Sequence, residues 1–293
     1  MSIASKLLGI CARSIRFIFR GVPVKHVTAS ISTLSPNELL SGRCALITGG
    51  SSGIGKEIAK AFVNAGAKVV ITGRDRERLN VACAEIKSFT KKESDVFPLV
   101  MDNSDVACIE DKIQEAISLV GPISILVNNA GTVNFKNFGH TTEEDYDKVM
   151  NINLKGTYFL SQSIAKYMVK NAIEGNILNI ASSSSMRPAN SPYALSKWGT
   201  KGLTIGLARV LTQHNIVVNG IAPGPTATPM LGIDNEGNIA HEKNLTGRHA
   251  TPEEIANMAT ILVSGMSRMI CGDIIYMSGG SGIVTTNDIN YEF

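Results

Sequence analysis

A phenol and an amine stand four residues apart in Pro192-Tyr193-Ala194-Leu195-Ser196-Lys197. On a helix that spacing puts Tyr193 and Lys197 on one face. A phenol with a pKa of about 10 carries protons poorly near neutrality. An ammonium beside it favours the phenolate, so Lys197 is expected to draw the Tyr193 pKa down. Upstream, Asn179-Ile180-Ala181 runs into Ser182, Ser183 and Ser184. A serine hydroxyl can hold a substrate oxygen while the tyrosine gives or takes a proton. A tyrosine four residues before a lysine is also common on ordinary helices, so the pair gains meaning only from its surroundings.

The second cluster is Thr48-Gly49-Gly50-Ser51-Ser52-Gly53-Ile54-Gly55, between an apolar run and an amphipathic one. Glycines let a backbone turn sharply and approach a pyrophosphate. A helix N-terminus offers that anion N–H groups and a partial positive charge. Thr48, Gly49, Ser51, Ser52, Gly53, Ile54 and Gly55 are therefore candidate dinucleotide contacts. The next strand ends in Thr72-Gly73-Arg74, where an NAD-selective fold usually places an acid. Arg74 could instead pair with a 2′-phosphate through its planar fork, or it could be a solvated arginine paired with Asp75. This favours NADP(H) and leaves NAD(H) open. Asp102 could accept from an adenine amino group, or it could cap a helix. Asn128, Asn129, Ala130 and Gly131 leave room for an adenosine ribose, and the asparagine amides can tie neighbouring strands together.

The elements that must hold these residues alternate. Strands are expected at Cys44–Thr48, Lys68–Thr72, Val96–Met101, Ile123–Asn128, Asn176–Ala181, Val217–Ile221 and Ile274–Met277. Helices are expected at Ile54–Ala65, Arg76–Phe89, Ile109–Leu119, Tyr193–His214 and Pro252–Val263, with a helical pair over Glu143–Val169. Apolar strands alternating with amphipathic helices predict an α/β fold, a Rossmann-type doubly wound parallel sheet with helices on both faces. Ligands on such a sheet bind at the carboxyl ends of the strands, where all the motifs above fall. Residues 42–284 are expected to be one NADP-binding catalytic domain, with a basic amphipathic extension at 1–41 and a tail at 285–293.

From Arg43 to Gly282 the chain resembles a classical short-chain dehydrogenase/reductase. The matching elements, in order, are the Thr48–Gly55 turn, Asn128–Gly131, Asn153 within Asn151-Ile152-Asn153-Leu154-Lys155-Gly156, the Ser/Tyr/Lys set, and Pro223-Gly224 after a strand. The resemblance implies hydride transfer between NADP(H) and a carbonyl or secondary alcohol. It implies Tyr193 as acid/base, Lys197 on the nicotinamide ribose, Ser182 polarising the carbonyl, and Asn153 holding a water that links Lys197 to solvent. It also implies cofactor contacts from Pro223, Gly224, Thr226 and Thr228, a backbone contact from Ile221, a substrate lid over Met230–Arg248, and a homodimer or homotetramer. Ten residues separate Ser182 from Tyr193, two fewer than the family pattern, so Ser183 and Ser184 stay open as the active serine. Phe135, Tyr158, Met186 and Trp198 are pocket candidates of mixed character. The other class of function is a non-catalytic NADP-binding or scaffold protein on the same fold.

Composition narrows the partners. The net charge of +3 gives no reason to expect nucleic acid. Five scattered cysteines and five histidines offer no metal-ligand spacing, so no metal is expected and a reducing compartment fits. The first acidic residue is Glu38, and Lys6, Arg13, Arg16 and Arg20 precede it. On a helical wheel of residues 2–21 these four share one arc, with Leu7, Leu8, Cys11, Ile15 and Ile18 opposite. That pattern suits peripheral membrane contact, a mitochondrial transit peptide with residence in the matrix, or a helix packed on the protein. A cytoplasmic enzyme with peripheral attachment is the favoured expectation.

Overall fold

The structure is a computed structural model of the 293-residue chain, and it describes residues 38–91, 95–136, 138–232, 238–242 and 244–285. The amphipathic reading of residues 2–21, and the tail beyond Thr285, lie outside them. The elements run β1 (Cys44–Thr48), α1 (Gly53–Asn64), β2 (Lys68–Gly73), α2 (Arg76–Thr90), β3 (Val96–Val100), α3 (Ile109–Val120) and β4 (Ile125–Asn128). There follow α4 (Glu143–Met150), a π turn (Asn151–Lys155), α5 (Gly156–Lys170), β5 (Gly175–Ile180), α6 (Pro192–Leu211), β6 (Ile216–Pro223), α7 (Pro252–Val263) and β7 (Ile274–Met277).

All seven strands pair in parallel, in the order β3-β2-β1-β4-β5-β6-β7. All five β1 residues are buried, because alternate side chains enter different cores. Ala45 and Ile47 pack with Ile58 and Phe62 of α1, Leu79 of α2 and Ile255 of α7. Leu46 points the other way, toward Ile113 of α3, Leu160 of α5 and Leu211 of α6. Each such burial stabilises by about 1.5–3 kcal/mol, which explains why the strands are apolar on both faces. The chain passes from β1 to β2 and β3 on one side, then crosses to β4 on the other. That reversal opens a crevice at the carboxyl edge between β1 and β4.

Local signals fix the elements nearest the crevice. The Ser191 hydroxyl accepts from Ala194 N at 3.3 Å and Pro192 occupies the first turn of α6, so the helix starts one residue before Tyr193. Two boundaries differ from the sequence expectation in ways that matter for the site. The helical pair is joined by the π turn, which the sequence did not mark, and Asn153 lies inside that turn. Strand β6 runs on to Pro223, because β7 pairs with it as far as Pro223↔Met277.

Candidate active site

Tyr193 and Lys197 occupy successive turns of α6 beside the end of β5. The Lys197 ammonium donates to the Ile180 carbonyl at 2.8 Å and lies 5.6 Å from the centre of the Tyr193 ring. Burial pushes the Lys197 amine down to about 8. Burial also raises the Tyr193 phenol above its ordinary value, and a hydrogen bond with Ser182 only partly opposes this. The expectation that Lys197 lowers the phenol is thus corrected. Desolvation is the largest cause and Lys197 is not among the causes, its ammonium being held by a main-chain carbonyl.

The three serines take different places. Ser182 Oγ shares the hydrogen bond with Tyr193 and also accepts from Ser184 N at 3.1 Å. Ser184 Oγ stands 3.2 Å from Ser182 Oγ, as a neighbour rather than an equivalent. Ser183 is buried and shares the cleft wall with both. Asn153 is buried in the π turn, where its Oδ1 accepts from Thr132 N at 2.8 Å. Its Nδ2 donates to Thr132 O at 2.9 Å and Ser196 Oγ at 3.1 Å. The side chain is therefore a strut between the segment after β4 and the residue preceding Lys197, and all its polar positions are used. Asn103 Nδ2 pins the same turn through Ile152 O at 2.7 Å.

The glycine turn is locked to the end of β4. Thr48 Oγ1 accepts from Asn129 N at 3.0 Å and Ala130 N at 2.9 Å, while Asn129 Nδ2 donates to the carbonyls of Thr48 and Gly49. Gly49 and Gly53 have positive φ, at +65° and +54°. A Cβ on Gly55 would overlap the Asn129 amide and the Gly49 carbonyl, so only glycine lets α1 start this close. No side chain caps α1 at Ser52, which leaves its first N–H groups facing the turn. Thr228, after β6, brings its methyl within 3.5 Å of where a Gly53 Cβ would be. A narrow cradle of main-chain donors and hydroxyls, with Ser51, Ser52, Ile54 and Thr228 around it, fits the pyrophosphate of a dinucleotide. Asn129 and Gly131 both line the cleft wall.

At the tip of β2, Arg74 is exposed and has no ion pair among the described residues. Asp75 is engaged elsewhere, accepting from Arg78 N at 3.2 Å as the cap of α2. The Ser51 hydroxyl lies 3.6 Å from where a Gly73 Cβ would stand, so a hydroxyl and a guanidinium flank the same strand end. Asp102 does not cap the following helical turn; Asp105 does. Burial opposes ionisation of Asp102, yet two hydrogen bonds from Ser104 and the nearby Arg74 charge hold its carboxyl below the ordinary value. Asn128 bonds to Asn179 at 2.8 Å across β4 and β5, which is the inter-strand tie that asparagine amides can make.

Ser182, Tyr193, Lys197, Gly131, Pro223, Gly224, Thr226 and Thr228 line one cleft of about 390 Å³. Two sequence readings fail here. Ile221 is fully buried two residues inside β6 and gives its carbonyl to Ala181 N at 2.7 Å, so it faces the core; Thr226 lines the cleft instead. None of Phe135, Tyr158, Met186 and Trp198 lines the cleft; all four are exposed, and Tyr158 lies on the outer face of α5 and α6. Arg187, His241 and His249 are cleft residues that the motifs did not single out. The only signal for His241 was the polar, aperiodic character of the Met230–Arg248 segment, and His249 and Arg187 had none. Among the described residues no cluster of three His, Cys, Asp or Glu could hold a metal, and no helix is long and apolar enough to cross a membrane.

Comparison with known proteins agrees with this geometry. Residues 43–238 match the short chain dehydrogenase family. Over 247 residues the chain is 35% identical to the 3-oxoacyl-(acyl-carrier-protein) reductase FabG of Thermotoga maritima, covering 82% of this chain and 98% of that protein. It is 34% identical over 247 residues to gluconate 5-dehydrogenase of Gluconobacter oxydans, covering 82% and 95%. The structure of a 3-ketoacyl-(acyl-carrier-protein) reductase from Brucella melitensis complexed with NADH superposes with a TM-score of 0.76 at 30% identity, covering 83% of this chain and all of that one. With the parallel sheet, the glycine cradle and the Ser/Tyr/Lys cleft in place, the chain belongs to the classical short-chain dehydrogenase/reductase family, oxidoreductases that move a hydride between a nicotinamide cofactor and a carbonyl or alcohol carbon.

Proposed function

We propose that this protein is an NADP(H)-dependent carbonyl reductase or alcohol dehydrogenase with Tyr193 as its acid/base. The observation that carries the proposal is that Ser182, Tyr193 and buried Lys197 line one cleft that runs to the glycine cradle. The bound nicotinamide supplies or takes the hydride. In reduction, Ser182 and Tyr193 hold the carbonyl oxygen, and Tyr193 passes its phenolic proton to that oxygen as it becomes an alcohol. The raised phenol suits this task, since the acid is fully protonated at neutral pH. Lys197 positions the nicotinamide ribose and offsets the charge left on the phenolate. Any water link from Lys197 to solvent would use the Asn153 carbonyl, because its amide is already engaged.

The pH dependence follows from the two shifts. Lys197 titrates near 8, so it is charged below that pH and neutral above it. Tyr193 is protonated over the same range and beyond. For ketone reduction, kcat/KM should be flat from pH 6 to about 7.5 and fall above about 8, as the ammonium is lost. Lys197→Arg, if it retains turnover, should move the falling limb upward. A wild-type profile flat to pH 10 would remove Lys197 from the mechanism.

Arg74 supports the preference for NADP(H), since an unpaired guanidinium and the Ser51 hydroxyl flank the place for a 2′-phosphate. Arg74→Ala should weaken NADPH binding by roughly tenfold, the scale of one lost charge-assisted pair, and leave NADH within about twofold. Titration calorimetry with both cofactors checks this. Equal affinity for NADPH and NADH in the unmodified protein would reverse the assignment.

The same reading proposes self-association. A largely apolar groove between α5 and α6, with Tyr158, Val169, Leu207 and Val210 in its walls, supports it. Light scattering at micromolar concentration should read the mass of a dimer or tetramer, and the mass of a single chain would dismiss it.

A further inference from the structure

We propose that Arg187 is a positioning residue: its guanidinium braces the turn that carries Ser182 against the segment after β7, and so keeps the Ser182 hydroxyl aligned with Tyr193. This rests on the reductase reading above and adds to it a residue that no motif marks.

The need for a brace follows from where the sheet ends. Just past β5, Ala181 N still bonds to the Ile221 carbonyl at 2.7 Å. Ser182 lies beyond that bond and opens the short turn Ser183–Met186, which Arg187 closes. Inside the turn the bonds are local. The Ser182 carbonyl accepts from Ser185 N at 3.0 Å and from Ser185 Oγ at 2.7 Å, and the Ser184 carbonyl accepts from Arg187 N at 3.3 Å. Such bonds fix the shape of the turn and leave its place in the fold to longer links.

Arg187 supplies two of those links. Its carbonyl accepts from Trp198 Nε1 at 2.8 Å, which ties the turn to α6. Its Nη2 donates to Ser281 Oγ at 2.8 Å, across 94 residues of sequence. A third link joins Ser185 Oγ to the Tyr276 hydroxyl of β7 at 3.3 Å. Gly282 has a φ of +80°, and a Cβ there would lie 3.0 Å from Arg187 Nε and 3.3 Å from the Ser183 carbonyl. The backbone after β7 thus closes on the guanidinium and on the serine turn together. Arg187 is only 5% exposed. Burying a guanidinium costs hydration, and the planar fork offsets that cost where its geometry is used.

The segment that receives the guanidinium is itself firm. The Gly280 carbonyl accepts from Ile283 N, Val284 N and Thr285 N, and Gly282 N donates to the Thr285 carbonyl at 2.9 Å. On its other side, a Cβ on Gly279 would overlap the Asn244 amide and the Thr246 hydroxyl, and a Cβ on Gly280 would meet Leu245. Closed on itself and packed from both sides, this segment is an anchor whose position does not depend on the serine turn. Arg187 is therefore a cleft residue that works by being engaged: it transmits the anchor's position to Ser182.

The test uses the full-length chain with NADPH and a ketone that the unmodified protein reduces. Single-turnover rates, with enzyme in excess of NADPH, keep slow variants measurable. Arg187→Gln should slow hydride transfer by roughly 10–100-fold, the cost of misplacing a reacting group by about an ångström. NADPH affinity and ketone KM should stay within about threefold, because neither binding contact is removed. Arg187→Lys should recover part of the rate. The decisive variant is the double one. Ser182→Ala with Arg187→Gln should match Ser182→Ala alone within about twofold, because the brace acts only through that hydroxyl. Ser281→Ala removes only the acceptor, so it should repeat the pattern with a smaller loss, roughly threefold to tenfold, and it carries the test if Arg187→Gln does not fold. Losses that multiply in the double variant, or normal rates in both Arg187→Gln and Ser281→Ala, would overturn the brace while the reductase reading stands. A raised ketone KM at a normal rate would put Arg187 on the substrate and overturn it as well. If the unmodified protein reduces no ketone, the reductase reading falls and the brace falls with it.

Discussion

Tyr193→Phe is expected to cut kcat for ketone reduction by roughly 10²–10⁴-fold, the range of one positioned acid. Dinucleotide affinity should change by less than about twofold, because the phenol ring still fills its place and only the proton donor is lost. The hydroxyl removed is the one bonded to Ser182, so the serines report on the same event. Ser182→Ala should lose turnover by a comparable order, and Ser184→Ala far less, since Ser184 reaches the site by supporting Ser182 Oγ. Rates at saturating cofactor together with cofactor titration separate the two effects. A Tyr193→Phe protein with near-normal kcat would remove the phenol from the chemistry. A crippled Ser184→Ala beside an active Ser182→Ala would move the catalytic serine two residues along the loop.

Gly55→Ala should be the most damaging single methyl in the cofactor half. The new Cβ meets the Asn129 amide on one side and the Gly49 carbonyl on the other. Neither can yield cheaply, because Asn129 holds the carbonyls of Thr48 and Gly49. Overpacking of this kind costs about 1–3 kcal/mol, which for a domain of this size lowers Tm by roughly 3–10 °C. The methyl also pushes α1 away from the turn, so dinucleotide affinity should fall by tenfold or more, about 1.4 kcal/mol per decade. Gly202→Ala in α6 is the control, because a Cβ there meets nothing within 4 Å. It should leave Tm unchanged or raise it slightly. Thermal melts with and without cofactor read both outcomes. A Gly55→Ala protein that melts and binds like the unmodified chain would show that the turn is looser than its contacts imply.

The parallel sheet was legible because its strands are apolar on both faces and its helices on one. Two cores on opposite sides of one sheet leave that mark on every strand. Pro252–Val263 and Ile274–Met277 were bounded correctly, since Thr251 and Pro252 signal the helix start and the strand is short and framed. The Tyr193–Lys197 pair and the glycine turn were legible for the same kind of reason: each function needs a fixed spacing within one element. What the sequence hid depends on contacts between distant segments. The sign of the Tyr193 shift comes from burial, and burial is set by the loop after β5 and the segments after β6 and β7. Ile221 was misplaced because the length of β6 is decided by its partner β7, not by its own residues. The pocket candidates failed because an aromatic side chain reads alike whether it faces a cleft or the outside of a helix. Arg187 and Ser281 are 94 residues apart, and only the fold brings them together.

The central claim is that a carbonyl carbon receives hydride in this cleft while Tyr193 protonates its oxygen. The most direct measurement follows deuterium from NADPH labelled at nicotinamide C4, with the two faces labelled in separate samples, into the alcohols formed from a panel of ketones. The account predicts that at least one ketone yields an alcohol with deuterium on its carbinol carbon from one labelled face only, and that Tyr193→Phe loses this product while still binding NADPH. Binding of NADPH with no deuterium transferred to any ketone, or equal transfer by the Tyr193→Phe protein, would contradict it.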